Sequence, residues 1–222
     1  MTQTTVKATA TRAAIFEAAL SLFTEHGYDK TTMRMIADTA HVSLGNFYYY
    51  FPSKEHLVQA FYQQTHEQHR AACRSILESE TDLRTRVSGV LLAHIDVLED
   101  YRSLSTTLVR LAADPNSPLS PFSAESRPLR DQVIDIFAEV LRGSKTRISP
   151  FIADELPTLL WAYQMSILYF WVYDNSPNRQ RTRDLIENTS SLVVRLIGLA
   201  RIPILRPAWR SAIAVTKQLR AS

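Results

Sequence analysis

The 222-residue sequence predicts an all-α protein: an N-terminal three-helix unit that contains a helix-turn-helix, followed by a larger helical region. Three observations lead to the helical class. Glycine is scarce at five residues, while good helix formers such as Ala, Leu, Arg, Glu and Gln are common. Apolar residues recur at three- and four-residue intervals, the spacing of a helix face and not the alternation of a strand. The intervening stretches at 114–122, 143–150 and 174–178 are short, and the first holds Pro115, Pro118 and Pro121. A hydrophobic content of 45% is ample for a packed core, and the length suits one or two domains of ~100–200 residues.

Taken in order, residues 1–8 are polar, Thr-rich and expected to be loose. Residues 9–26 place Ile15, Ala18, Ala19 and Leu22 at helical spacing beside Phe16 and Phe23, and Gly27 stops that helix. Two short blocks, 33–40 and 43–49, lie too close together for anything but a sharp turn, so the pair reads as a helix-turn-helix. Ile36 and Ala37 face inward, with Val42 and Phe47 supplying the buried contacts of the second block. Thr31 or Thr32 caps the first helix and Ser43 the second, since a hydroxyl there accepts from an orphan backbone donor. His41 occupies the turn, where positive φ is expected. Ser53 is the expected cap of a long helix over 54–77, whose Leu57, Ala60 and Phe61 continue the inward stripe. Further helices are expected over 82–100, 104–113, 127–142, 153–173 and 179–200, with an appended one over 208–219.

The run Ile36-Ala37, Val42-Ser43, Gly45 and Phe47-Tyr48-Tyr49-Tyr50-Phe51-Pro52-Ser53-Lys54-Glu55 closely resembles the DNA-binding domain of TetR/AcrR-type transcriptional regulators. The resemblance spans 11 to about 61, the first quarter of the chain. It implies domains at 1–60 for DNA binding, 61–202 for effector binding and dimerisation, and 203–222 as a basic tail. Ser43, Leu44, Gly45 and Asn46 then stand at the groove-facing start of the recognition helix, followed by Tyr48 and Tyr49. Asn46 suits an adenine edge and Leu44 a thymine methyl, where many members of the family carry a basic residue. Thr32, Tyr48 and Lys54 are the expected phosphate contacts, and Arg34 reaches a base or a phosphate.

Net charge is only +3, so the DNA argument rests on the motif and not on bulk electrostatics. The most basic segment is the tail, with Arg201, Arg206, Arg210, Lys217 and Arg220 and no acid. Heads of this size normally read paired half-sites, which implies a homodimer on a palindromic double-stranded operator. Helices 155–173 and 179–199 offer the dimer face, through Tyr169, Tyr173, Leu192, Leu196 and Leu199. By resemblance the protein is a repressor released by a small molecule. Trp161, Gln164 and Met165, with His94, Tyr101 and Arg110 from neighbouring helices, are the candidate pocket residues, joined by Tyr163, Tyr169 and Trp171. They favour an apolar or aromatic effector.

Two alternatives stay open on sequence. His66, His69 and Cys73 share a helical face and form a legitimate metal-ligand set, so a metal-responsive regulator is one. A helical protein that binds nucleic acid or a membrane surface through its basic tail, without an effector, is the other. The uncharged span 156–173 is short for a membrane helix and is read instead as a buried or interface helix, with no membrane partner. No phosphate loop, nucleophile elbow or H-E-x-x-H pair is present, so neither an enzyme nor a cofactor is expected. A lone cysteine and the lack of a signal-peptide layout point to the cytoplasm.

Overall fold

Gly27 adopts φ +84° and its backbone N–H closes on Phe23 O at 3.1 Å, so the first helix ends where only a residue without a Cβ turns freely. In this computed structural model, residues 3–114, 116–202, 204, 207, 209–211 and 213–214 are described. Their order is α1 (Gln3–His26), α2 (Met33–Thr39), α3 (Leu44–Tyr50), α4 (Lys54–Ser79), α5 (Leu83–Glu99), α6 (Arg102–Ala112), α7 (Arg127–Arg142), α8 (Leu156–Tyr173), a short 3₁₀ turn (Pro177–Arg179) and α9 (Gln180–Leu199). Every regular element among the described residues is helical.

Two helix starts and one cap differ from the sequence expectation for local reasons. α1 begins at Gln3 and not near Thr9, because extending a formed helix through Ala8 and Ala10 is far cheaper than nucleating one. α8 begins at Leu156 and not at Ala153, since Pro157 has no N–H to close a turn onto residue 153 and is tolerated only in the first turn. Ser53 stands before α4 but makes no cap bond; its hydroxyl shares a 2.9 Å hydrogen bond with Nδ1 of His56. The appended helix lies largely outside the described residues. Residues 207, 209–211 and 213–214 are helical, and Trp209 and Ile213 pack against the second core.

Two hydrophobic clusters meet along α4. The N-terminal one joins Ile15 and Ala19 of α1, Ile36 of α2, Phe47 of α3 and Leu57, Val58 and Phe61 of α4, and it draws in Leu104 and Leu108 of α6 with Leu119 beyond it. The second is built from Val87, Leu91 and Ile95 of α5, Ile136, Phe137 and Val140 of α7, Leu160 and Trp171 of α8, and Ile186 of α9. Cys73 and Leu77, in the last turns of α4, belong to that second core. No helix among the described residues is long and apolar enough to cross a membrane.

Two polar knots hold the helix ends. Arg86 of α5 is 2% exposed and gives hydrogen bonds to four carbonyls: Leu77 and Glu80 at the end of α4 (2.9 and 2.6 Å), and Glu139 and Val140 at the end of α7 (2.7 and 2.8 Å). One cation thus satisfies orphan acceptors where both helix dipoles are negative. Gly143 makes room for it, because a Cβ there would lie 2.3 Å from Nη2 of Arg86. At the other end of the body, Asp174 accepts from the backbone N–H and hydroxyl of both Ser176 and Thr182 at 2.7–2.9 Å, while Arg102 caps the carbonyls of Trp171, Val172 and Asp174.

Arg86→Met takes the side-chain donor from four carbonyls in a buried site and leaves those of Leu77, Glu80 and Val140 without the Arg86 hydrogen bond, while Glu139 O keeps the Gly143 N–H. It is expected to cost about 3 kcal/mol or more in urea unfolding, at the level of a broken buried charge network. A loss below about 1 kcal/mol would mean that the helix ends are satisfied some other way.

Candidate nucleic-acid interface and internal cavity

The head is written locally. Thr32 caps α2 by accepting from Met35 N at 3.2 Å, and Ser43 caps α3 by accepting from Asn46 N at 3.2 Å. Thr31 is buried and gives its hydroxyl proton to the carbonyls of Leu22 and Gly27, so it locks the loop while its neighbour caps the helix. His41 sits at φ +54°, as a turn this tight requires. Its N–H closes on Asp38 O and that of Val42 on Ala37 O, and the turn delivers α3 at a sharp angle.

Ile36 and Phe47 pin α2 and α3 together from inside, both at 0% exposure. The other face of α3 is bare: Ser43, Gly45, Asn46, Tyr48 and Tyr49 are exposed, Tyr49 to 80%. Nothing lies within 4 Å of a Cβ built on Gly45, so another surface has room to approach the backbone there. Thr32 and Arg34 are exposed on α2. Leu44 is half-buried and leans on the head core. Lys54 is also half-buried: its ammonium gives hydrogen bonds to the carbonyls of Tyr28 (2.9 Å) and Thr31 (3.2 Å) and lies 4.3 Å from the Tyr28 ring centroid. It ties α4 to the loop before α2.

Between α4, α5, α6, α7 and α8 lies a cavity of about 320 Å³, within the usual range for small-molecule sites. Of the pocket residues expected from sequence, His94, Trp161, Gln164, Met165 and Tyr169 line it. Tyr101 stacks on Phe61 at 5.2 Å from the head side, Arg110 is exposed, Tyr163 pairs its hydroxyl with Thr189, and Trp171 gives its indole N–H to Glu99. These four are not among the lining residues. His66, His69, Ser105, Phe122 and Arg130 line the cavity without having been singled out for it. His66 and His69 were legible in part, because they fall one turn apart below Phe61 on the inward stripe. Phe122 and Arg130 had no sequence signal, since the chain returns to the cavity there through an irregular segment and the start of α7.

The metal-responsive alternative is corrected. His66, His69 and Cys73 do share the inward face of α4, but no three His, Cys, Asp or Glu among the described residues are placed to hold one ion. His69 Nε2 is engaged with the Val90 carbonyl at 2.9 Å. Burial pushes the Cys73 thiol up to about 12.

Gln164 Nε2 meets His94 Nδ1 at 2.6 Å, and the His94 and His69 rings lie 4.7 Å apart. Burial pushes all three cavity imidazoles down: His69 to about 4 against the opposing effect of its Val90 bond, His94 well below its ordinary value, and His66 more mildly. These three imidazoles are therefore uncharged at neutral pH.

Residues 15–61 match the family described as "Bacterial regulatory proteins, tetR family", and residues 86–219 match "Tetracyclin repressor-like, C-terminal domain". The chain belongs to the TetR family of transcriptional regulators. The TetR-family relatives include the regulator RutR of Escherichia coli, 28% identical over 171 residues that cover 73% of this chain and 79% of RutR. The transcriptional repressor KstR2 of Mycobacterium tuberculosis is 30% identical over 92 residues, covering 41% of this chain and 46% of KstR2. Among solved structures of the same fold, FadR of Thermus thermophilus, crystallised with lauroyl-CoA, aligns at TM-score 0.63 and 20% identity over 81% of this chain and 92% of that one. In this TetR-family chain the first match holds the head described above, and the second begins at Arg86.

The buried imidazoles set a pH dependence. His69 binds a proton near pH 6.5 when unfolded but only near 4 when folded. Its contribution to stability is complete above about pH 6.5 and is lost as pH falls toward 4. The loss from this residue alone is about 2 kcal/mol at pH 5 relative to pH 7. Urea midpoints at the two pH values measure it, and His69→Gln should flatten the difference. An unchanged difference in the variant would place the cause elsewhere.

Proposed function

We propose that the protein is a homodimeric repressor which reads a palindromic double-stranded operator through α3 and is released by a small, largely apolar or aromatic effector held in the cavity. The observation that carries this reading is shared packing: Phe61, Leu108 and Leu119 belong both to the cavity wall and to the core of the head. A molecule that fills the cavity presses on the residues that hold α1 and α4 against α6, and interiors packed like crystals pass on such displacement. The repressor role is supported by the name of KstR2, and an apolar effector body by the lauroyl chain of the lauroyl-CoA bound to FadR.

On DNA, Asn46 and Leu44 address base edges, Gly45 admits close approach, and Ser43, Tyr48, Tyr49, Thr32 and Arg34 surround them. Lys54 spends two of its three protons on carbonyls and keeps one for a phosphate. The dimer forms through α8 and α9, where Tyr169, Tyr173, Leu192, Leu196 and Leu199 are all exposed, Tyr169 to 57% and Leu192 to 54%. Burying so many large apolar side chains outweighs the entropy lost on pairing. The proposed setting is the cytoplasm, where its DNA partner is.

Selection from a randomised duplex pool, read by fluorescence anisotropy at two salt concentrations, tests the reading. The expected winner is a palindrome bound at least about a thousandfold more tightly than pool DNA. Uniform binding that vanishes with salt would refute sequence-specific reading.

Two variants separate the roles. Tyr48→Ala should weaken binding to every sequence, whereas Asn46→Ala should relax preference at one base pair by about 1–3 kcal/mol; equal, sequence-blind losses from both would defeat the division. The double change Leu192→Glu and Leu196→Glu should yield a folded monomer by light scattering, with operator affinity reduced at least about a hundredfold. A dimer that persists would move the interface off α9.

A further inference from the structure

The cavity wall carries polar atoms that the fold leaves unanswered. Among the described residues, Gln164 Oε1, His66 Nδ1 and Ser105 Oγ are buried with no hydrogen-bond partner, and all three residues line the cavity. Gln164 is 2% exposed, Ser105 5% and His66 7%. Buried polar groups are ordinarily paired, and each one left over costs free energy that a correctly shaped guest returns.

The rest of the lining is almost wholly apolar, with Phe61, Leu98, Leu108, Val133, Trp161 and Leu168 prominent. We infer that, if the cavity is the effector site, its guest is an uncharged molecule with an apolar or aromatic body and a single hydroxyl or carboxamide head that pairs with Gln164 and Ser105.

Two features specify the head. The first is its hydrogen-bonding sense. Gln164 donates to His94 when Nδ1 is unprotonated, which leaves Oε1 as an acceptor; with the other tautomer the amide reverses and offers its NH₂. The Ser105 hydroxyl likewise gives or takes a proton. A hydroxyl or carboxamide, which both donates and accepts, satisfies either arrangement, whereas an ether or a ketone satisfies one.

The second feature is charge. The three imidazoles on this wall are neutral, so they do not compensate a carboxylate taken out of water. Arg130 is the one guanidinium on the lining. Its Nη1 gives a hydrogen bond to Pro121 O at 2.9 Å, holding the segment that carries Phe122.

Calorimetric titration of the full-length protein with four compounds sharing one body tests the inference: phenylbutanol, phenylbutanamide, phenylbutanoate and butylbenzene. The alcohol and the amide are expected to bind at least about tenfold more tightly than either the hydrocarbon or the carboxylate, since a site built around a polar head rejects the analogue that lacks it. Gln164→Leu should bring the alcohol down to the level of butylbenzene, and Ser105→Ala should close part of the gap. Equal binding of alcohol and hydrocarbon overturns the inference, as does a gap that survives in both variants or no binding of the alcohol at all. Tightest binding by phenylbutanoate overturns it too and hands the head to Arg130.

Ala112→Phe, which fills the cavity from α6, tells the two levels apart. If it abolishes binding while the wild type takes alcohol and hydrocarbon alike, the site stands and the head-group assignment falls. If the alcohol binds this variant as well as the wild type, the cavity is not the site and the effector reading falls with it.

Discussion

Arg86 is the point from which the rest of the molecule is hung. A guanidinium with five N–H donors sits where the C-terminal carbonyls of α4 and α7 converge and gives hydrogen bonds to four of them, of which Glu139 O also accepts from Gly143 N. The far end of α4 is thereby fixed to α5 and α7, inside the body. Its near end carries Leu57, Val58 and Phe61 into the head and is tied by Lys54 to the loop before α2. The 26-residue helix is thus held in the body at one end and packed into the helix-turn-helix domain at the other, and the proposed release by an effector would act along it.

Much of the head was legible because its instructions are local. A hydroxyl three residues before a backbone donor, a histidine at a tight turn and a glycine after an apolar run each act over one turn of chain. Thr32, Ser43, His41 and Gly27 perform as those rules require. Ser53 shows the limit of the same logic: the residue type is right, but a histidine three positions on competes for its hydroxyl. The body was legible as a set of helices and not as a site. His94, Trp161, Gln164 and Met165 came from aromatic and polar content on apolar helices, which correlates with lining a cavity without causing it.

What remained hidden depends on tertiary return. Nothing in the sequence singles out Arg86 or Arg130, and only the meeting of helix ends, or of an irregular segment with α7, turns them into buried donors. The inclusion of α6 in the head core was hidden for the same reason. Leu104 and Leu108 lie more than forty residues beyond Phe61, and no local pattern says which of two cores they join. The histidines of α4 illustrate the converse error. Their spacing suggested an ion, but their burial against Val90 and His94 makes them part of a neutral wall.

Cys73 has a practical consequence. Its sulfur is fully buried and its thiol stays protonated far above neutral pH, and it is the only cysteine in the chain. A maleimide reacts with thiolate and needs access, so it passes this residue by. One cysteine placed on the bare face of the head can therefore carry a spin label or dye on an otherwise unaltered chain. In the proposed homodimer, the separation between two such labels would report whether the heads move when an effector binds.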